Sequence, residues 1–293
     1  MKLPEYHTQI RHGSRVSTHL LIRTKEISRT VMELADELEA ISRHPTTLIV
    51  DATDGAVRSE ARAVIGLSKS ACSALGLHCP ADFAWRCGDY GYYLARRQFP
   101  EAELFWLIEA DVRFYGSDPA HFFRFFASRP EVDFLAGSLI PADPSWFWRN
   151  TARGRDVAPY RCLFPVTRLS TRAVDAAFAR RIEHGRRVSR RILWPNDEAL
   201  VATTLMNGSF VSRDFNDFGP VFYSEETFYY GMPLNGECLD LAPPGVQMAH
   251  PVLFGSEYRA KMQALQQRPA PQAAWTKPKL SWAANKLNAL SRW

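Results

Sequence analysis

Apolar positions in this chain fall into short unbroken runs separated by stretches of helical spacing. HLLIR (19–23) reads as a short buried strand, and Val31, Leu34, Leu38 and Ile41 then recur at three- to four-residue intervals, predicting a helix that Pro45 ends. TTLIVDAT (46–53) is β-branched and predicts a strand closing on Asp51, while 58–75 predicts a second helix ending before Gly76. A third helix is predicted over 88–98, and ELFWLIEADVRF (103–114) is the most strand-like run of the chain. PAHFFRFFAS (119–128) predicts a helix, VDFLAG (132–137) a strand, and 141–161 a loop rich in Pro, Trp and Arg. The stretches 169–185 and 196–208 predict two more helices, the second with Asn196 or Asp197 as its N-cap.

Strand, helix, strand, helix is a βαβ rhythm. It predicts an α/β fold, a Rossmann-like and mostly parallel central sheet with helices on both faces. Residues 1–265 form one domain in this reading, and 266–293 a tail where composition shifts to Pro, Ala, Gln, Lys and Trp. Open sheets of this kind bind ligands outside the carboxyl ends of their strands, so the residues there carry the functional question.

With 293 residues, 46% of them hydrophobic, the chain can bury a substantial core, which excludes a stapled miniprotein. Lys and Arg number 36 against 31 Asp and Glu, and the resulting +5 charge and pI of about 9.0 favour an anionic partner: a nucleotide diphosphate, a lipid headgroup or nucleic acid. No RNP, zinc-finger or recognition-helix motif accompanies the charge, so nucleic acid is not the expected partner. Five cysteines without CxxC spacing indicate neither a disulfide framework nor a zinc site, and a reducing cytoplasmic setting is expected. The first residues lack an apolar signal region and no run of about eighteen apolar residues occurs, so any membrane contact is expected to be peripheral, on the inner face of the cytoplasmic membrane.

Glu109 and Asp111 end an otherwise apolar strand. Strand alternation puts both on one side, past the sheet edge, where a hard divalent cation could bridge them to phosphates. Asp89, just before the third helix, is a candidate for a ribose hydroxyl, and Arg96 or Arg97 for a diphosphate, since the guanidinium fork suits phosphate. The competing readings are a helix cap for Asp89 and a solvated face for the arginines.

An Ala-Arg helix, Leu94-Ala95-Arg96-Arg97, followed by the strand FWLIEAD resembles the glycosyltransferases of the GT-A fold, with Glu109 in place of the first acid of an Asp-x-Asp-like motif. In order of elements the likeness runs over residues 18–255. It implies a single GT-A-like domain, a nucleotide-diphosphate sugar such as a UDP- or GDP-sugar as donor, and Mn²⁺ or Mg²⁺. By the same resemblance Thr24 after the first strand contacts the nucleobase, Asp51 is the acid after the second strand, and Asp111 is the direct metal ligand. Glu109 would act beside it directly, through water or on the donor ribose. His250 in QMAHPVLFG matches the late histidine that completes the metal site, and imidazole beside two carboxylates suits Mn²⁺. Asp197 and Glu198 in WPNDEAL match the acid pair near the acceptor, one of which could remove a hydroxyl proton; if Asp197 is mainly a cap, Glu198 takes the role.

The implied activity is metal-dependent hexosyl transfer to a glycan or lipid-linked acceptor, in bacterial surface polysaccharide or lipooligosaccharide synthesis. Trp146, Trp148 and Tyr229 are candidates for stacking on acceptor sugars, with core packing as the alternative. Sugar-nucleotide nucleotidyltransferases share a related sheet but open with a glycine-rich phosphate loop, whereas Arg23-Thr24-Lys25-Glu26 has no glycine. Basic residues cluster at Arg180, Arg181, Arg186, Arg187, Arg190 and Arg191 and in the tail, where Trp282, Leu287, Leu290 and Trp293 share one helical face. That is an imperfect interfacial helix attracted to anionic lipid; packing on its own domain competes with it.

Overall fold

The apolar runs assemble into one central sheet. The structure, a computed structural model, describes residues 16–152, 157–186, 193–241 and 246–267. The tail residues Trp282, Leu287, Leu290 and Trp293 and the arginines Arg187, Arg190 and Arg191 lie outside the described residues. Along the chain come β1 (Thr18–Thr24), α1 (Arg29–Ser42), β2 (Thr46–Asp51), β3 (Val64–Leu67), α2 (Lys69–Ala74), α3 (Phe83–Arg86), α4 (Tyr90–Gln98) and β4 (Leu104–Glu109). They are followed by β5 (Arg113–Phe114), α5 (Ala120–Ala127), β6 (Phe134–Pro141), β7 (Tyr160–Ser170), α6 (Thr171–Arg186), α7 (Asp197–Met206) and β8 (Ser212–Asp214). Short pieces close the described region: β9 (Leu234–Asn235), β10 (Met248–Ala249), β11 (Val252–Leu253) and the helix α8 (Gly255–Gln266).

Seven strands form the sheet in the order β3-β2-β1-β4-β7-β6-β8. Its β3, β2, β1 and β4 are mutually parallel and β6 is parallel to β8, while β7 runs against both its neighbours. The α/β expectation, mostly parallel with helices on both faces, is therefore met. Because both faces are covered, the middle stretches of β1, β2 and β4 are apolar at successive positions, and alternate residues feed two cores. Leu21, Ile49, Phe105 and Leu107 pack against α4, α6 and α7. Leu20, Ile22, Trp106 and Ile108 pack against α1 and α5, with Phe122, Phe123 and Phe126 around the Trp106 ring. Among the described residues no helix is long and apolar enough to cross a membrane.

Three expectations need correction. The helix over 58–75 is instead the edge strand β3 and the short α2: Ile65 and Leu67 are buried, β3 pairs with β2, and Ser68 accepts from the Ala71 amide as N-cap. Pairing with the rest of the sheet overrides a local pattern compatible with either structure. The strand over 103–114 breaks after Glu109, where the Val112 amide returns to the Glu109 carbonyl and the chain turns before β5.

The third difference is β7, which the sequence pattern did not predict. Pro165 interrupts its run and cannot donate a ladder hydrogen bond. The structure accommodates it at a register shift, where β7 partners jump from Ala136 opposite Thr167 to Gly137 opposite Leu163. Further along, Arg168 of β7 is fully buried and donates to the carbonyls of Phe126, Arg129 and Val132, satisfying the C-terminal end of α5.

Candidate active site

Strands β1, β2, β3 and β4 all end at one edge, and the cleft above it has a volume of about 1580 Å³. Thr24, Asp51, Leu67 and Glu109 stand on its wall, one from each strand end. Parallel register places Arg23 of β1 directly beside Glu109 of β4. The guanidinium donates through Nη1 to Glu109 Oε1 at 2.6 Å and through Nη2 to the carbonyls of Ala84 at 2.7 Å and Trp85 at 2.6 Å. Arg23 thus ties the acid to the short helix α3.

The turn after β4 and the β5/β10 ladder bring a histidine to these acids. Ala249 pairs with Arg113, the Val252 amide donates to the Asp111 carbonyl at 2.7 Å, and His250 between them faces the turn. Its Nε2 lies 3.6 Å from Glu109 Oε2 and 3.4 Å from Asp111 Oδ1. Its Nδ1 is 2.8 Å from the Tyr229 carbonyl, which can only accept, so Nδ1 carries the proton and Nε2 points at the acids. One ligand atom from each of Glu109, Asp111 and His250 falls within 4.8 Å of the others, a spacing that one cation can span. The backbone carbonyl behind the imidazole is the usual outer partner of a metal-bound histidine.

Electrostatics separate two groups of acids. Burial alone would raise the Glu109 carboxyl, but Arg23 and His250 overcome that and hold it below its ordinary value. Burial would lower His250, yet hydrogen bonding and charge from Asp111 and Glu109 raise it to about 9. Across the cleft, burial pushes Asp197 up to about 7 despite Arg23, with Asp89 and Glu109 adding to the rise. Burial and the neighbouring Asp197 raise Glu198 to about 8.

Asn196 caps α7, accepting from the Ala199 amide at 3.0 Å, as one of the two expected caps. Asp197 has both oxygens engaged by backbone amides, Oδ2 by Gly88 at 2.8 Å and Oδ1 by Glu198 at 2.9 Å. Glu198 lines the cleft with Oε2 held by Asn196 Nδ2 at 2.8 Å. Both carboxyls line the cleft, and Asp197 is the one with both oxygens held by backbone amides.

The remaining candidates divide sharply. Thr24 and Asp51 line the cleft, but each is also part of a local turn: Thr24 Oγ1 donates to the Glu26 carbonyl, and Asp51 accepts from the amide and hydroxyl of Thr53. Asp89 does not reach the cleft. It is fully buried, held by Arg181 through Nε at 2.7 Å and Nη2 at 2.8 Å and by the Tyr93 hydroxyl at 2.6 Å, and makes no side-chain cap to α4. Arg96 sits in the last turn of α4, away from the strand ends, where it contacts Asp175 and the Pro100 carbonyl. Helix direction decides this: α4 runs away from the cleft toward the start of β4, so neither Arg96 nor Arg97 can face a diphosphate there.

Trp146 and Trp148 line the cleft, but Tyr229 does not; its hydroxyl donates to the Met232 carbonyl, and Tyr230 takes the cleft position. The Tyr230 hydroxyl accepts from the Phe164 amide at 3.3 Å and its ring meets His250 edge-on. Sequence reasoning also missed Arg23 and Arg161. A cation closing an apolar strand was a visible signal for Arg23, but its partner depended on knowing that β1 lies beside β4.

No protein-family model matches the chain, and comparison with curated proteins finds no match. Among solved structures, a glycosyltransferase involved in glycosylation of the major capsid of PBCV-1 is similar at a TM-score of 0.43 and 12% identity, covering 84% of this chain and 98% of that one. A 4-diphosphocytidyl-2C-methyl-D-erythritol synthase from Anaerococcus prevotii is similar at 0.38 and 8% identity, over 69% of this chain and 89% of that one. Similarities of this extent say nothing of chemistry, which rests on the site itself.

Proposed function

We propose that the chain transfers a sugar from a nucleotide-diphosphate donor to a glycan or lipid-linked acceptor. The observation that carries this reading is the convergence of Glu109, Asp111 and His250 on one point at the strand ends, with Glu198 on the facing wall. Asp111 and His250 would hold Mn²⁺ or Mg²⁺, with Glu109 contributing the oxygen that Arg23 leaves free. When bound, the ion supplies charge neutralisation on the departing diphosphate.

The protein groups supply the rest. Thr24 and Asp51 border the nucleotide end of the cleft, and Lys25 adds positive charge to that wall. Arg23 keeps Glu109 ionised and fixed. In a direct displacement, Glu198 takes the proton of the acceptor hydroxyl as its oxygen bonds to the anomeric carbon, and the bond from that carbon to the diphosphate breaks with its electron pair leaving on phosphate. A carboxyl raised to about 8 is matched to proton transfer near neutral pH. Nucleotidyl transfer is the less favoured reading, because the turn after β1 has no glycine to cradle a triphosphate.

Thermal unfolding with Mn²⁺ or Mg²⁺ and UDP, GDP or CMP tests the donor site, since a ligand bound to the folded state stabilises it by mass action. One nucleotide with metal is expected to raise Tm, and Asp111→Asn to abolish the rise while the ligand-free Tm stays put. No rise with any pairing would refute the donor site. Release of pyrophosphate from a nucleoside triphosphate and sugar phosphate, without sugar transfer, would favour the nucleotidyl reading.

A further inference from the structure

The reading above leaves one wall of the cleft unassigned. Strand β6 runs on past the sheet edge and the chain returns as β7, and after β6 the described residues 142–152 carry Trp146, Phe147 and Trp148. Of the large hydrophobic side chains exposed among the described residues, the three aromatic ones, Trp85, Phe147 and Tyr230, all line this cleft. Trp85 is 68% and Phe147 64% exposed, a cost in water that stacking on a sugar would remove. Arg86, beside Trp85, lies 5.1 Å from the Trp148 ring centroid and joins the two aromatic loops.

The cations of this cleft are not equivalent. Arg23 is committed to Glu109, Arg86 to Asp82, and Arg113 to the carbonyls of Ala110 and Val112. Arg161 also lines the cleft, yet among the described residues it makes no hydrogen bond or ion pair, and its buried Nε has no partner. Asp143 feels its charge but stays beyond ion-pair distance and is engaged by the amide and hydroxyl of Ser145. A guanidinium left in this state has its donors ready for an anion.

Position separates this cation from the donor diphosphate. Ile108 pairs with Val166, and Arg161 lies farther along β7, past the register shift, opposite Ile140 near the outer end of β6. The residue after it, Cys162, contacts the Glu198 carbonyl through Sγ at 3.8 Å, and Arg161 and Glu198 both line the cleft. We propose that the acceptor is an acidic saccharide, whose carboxylate or phosphate group Arg161 binds while a neighbouring sugar ring lies on the aromatic wall of Trp85, Phe147 and Trp148. This rests on the transferase reading for the word acceptor, but not for the binding itself.

A printed array of neutral, uronate-bearing and phosphate-bearing saccharides, probed with labelled full-length protein in Mn²⁺ and UDP, tests it. Acidic saccharides are expected to bind at least about tenfold more tightly than their neutral counterparts, the scale of a charged hydrogen bond. The uronate and phosphate spots tell which anion is taken. Arg161→Gln should bring the acidic-to-neutral ratio near one, and Arg161→Lys, which keeps the charge but loses the fork, should retain part of it. Equal binding of acidic and neutral saccharides, no saccharide binding, or an unaltered ratio in Arg161→Gln overturns the proposal. Loss of folding is excluded by comparing the Tm of both variants with that of the parent chain. If nucleotides fail to stabilise the protein while acidic saccharides still bind, the donor site falls and the anion site stands; the reverse pattern separates them the other way.

Discussion

The two halves of the sheet meet where β4 lies against β7, and they present their edge residues by different means. In the parallel half each strand stops at the edge, so Thr24, Asp51 and Glu109 reach the cleft simply by being last, and Arg23 by being next to last. In the reversed half β7 begins beyond the edge and descends into the sheet, and Arg161 reaches the cleft because β6 and β7 extend past their neighbours through a register shift. Acids follow the same division. Glu109 is held low by a guanidinium, whereas Asp197 and Glu198 are raised by burial.

The seam between the halves offers the largest test. Asp89 before α4 and Arg181 in α6 are both fully buried, and Arg181 Nη1 also donates to the Pro195 carbonyl at 2.8 Å, just before the α7 cap. Asp89→Asn leaves that guanidinium without its charge partner and is expected to cost about 3–5 kcal/mol, measured by chemical denaturation. A loss below about 1 kcal/mol would mean the halves are held together elsewhere.

Next in size is the contrast between the two acid groups. Glu198→Gln is expected to lower kcat by about a hundredfold or more while nucleotide with metal still raises Tm. Asp111→Asn should show the opposite pattern in the thermal assay. If both variants lose ligand stabilisation alike, the separation of donor and acceptor sides is wrong.

Gly88 sits where the halves touch. A Cβ there would stand 2.6 Å from Asp197 Oδ2 and 2.7 Å from Arg23 Nη1. Gly88→Ala is therefore expected to cost about 1–3 kcal/mol, seen as a lower Tm. An unchanged Tm would show that Arg23 and Asp197 can shift freely.

The smallest effect is a pH dependence. A carboxyl raised on folding favours the fold while protonated and loses that contribution as pH climbs from its unfolded value through the folded one, here from 4.5 to about 8 for Glu198. Glu198→Gln mimics the protonated form, so without ligands the variant should match the parent near pH 5 and exceed its stability by at least about 1 kcal/mol near pH 8.5. A difference that does not grow with pH would remove the raised carboxyl from the account.

The cluster of Glu109, Asp111 and His250 was legible because two of its three residues close one apolar strand and the third stands out as a late histidine in an apolar segment. Asp89 and Arg96 misled for a shared reason: a charge next to a helix looks the same in sequence whether it faces a ligand or a buried partner. Arg181, 92 residues from Asp89, settles the first case, and the direction of α4 settles the second.

From the sequence alone came the α/β class, the parallel run of strands, a helix cap at Asn196 or Asp197 and the acids at the end of β4, all of them local patterns of apolarity, turn chemistry and capping. Only the tertiary structure decided β7, the pairing of Arg23 with Glu109, the approach of His250 Nε2 to Glu109 and Asp111, and the burial of Asp89 against Arg181. Those depend on which strands become neighbours and in which register. That choice is made by burial of two whole faces at once, and no single window of residues contains it.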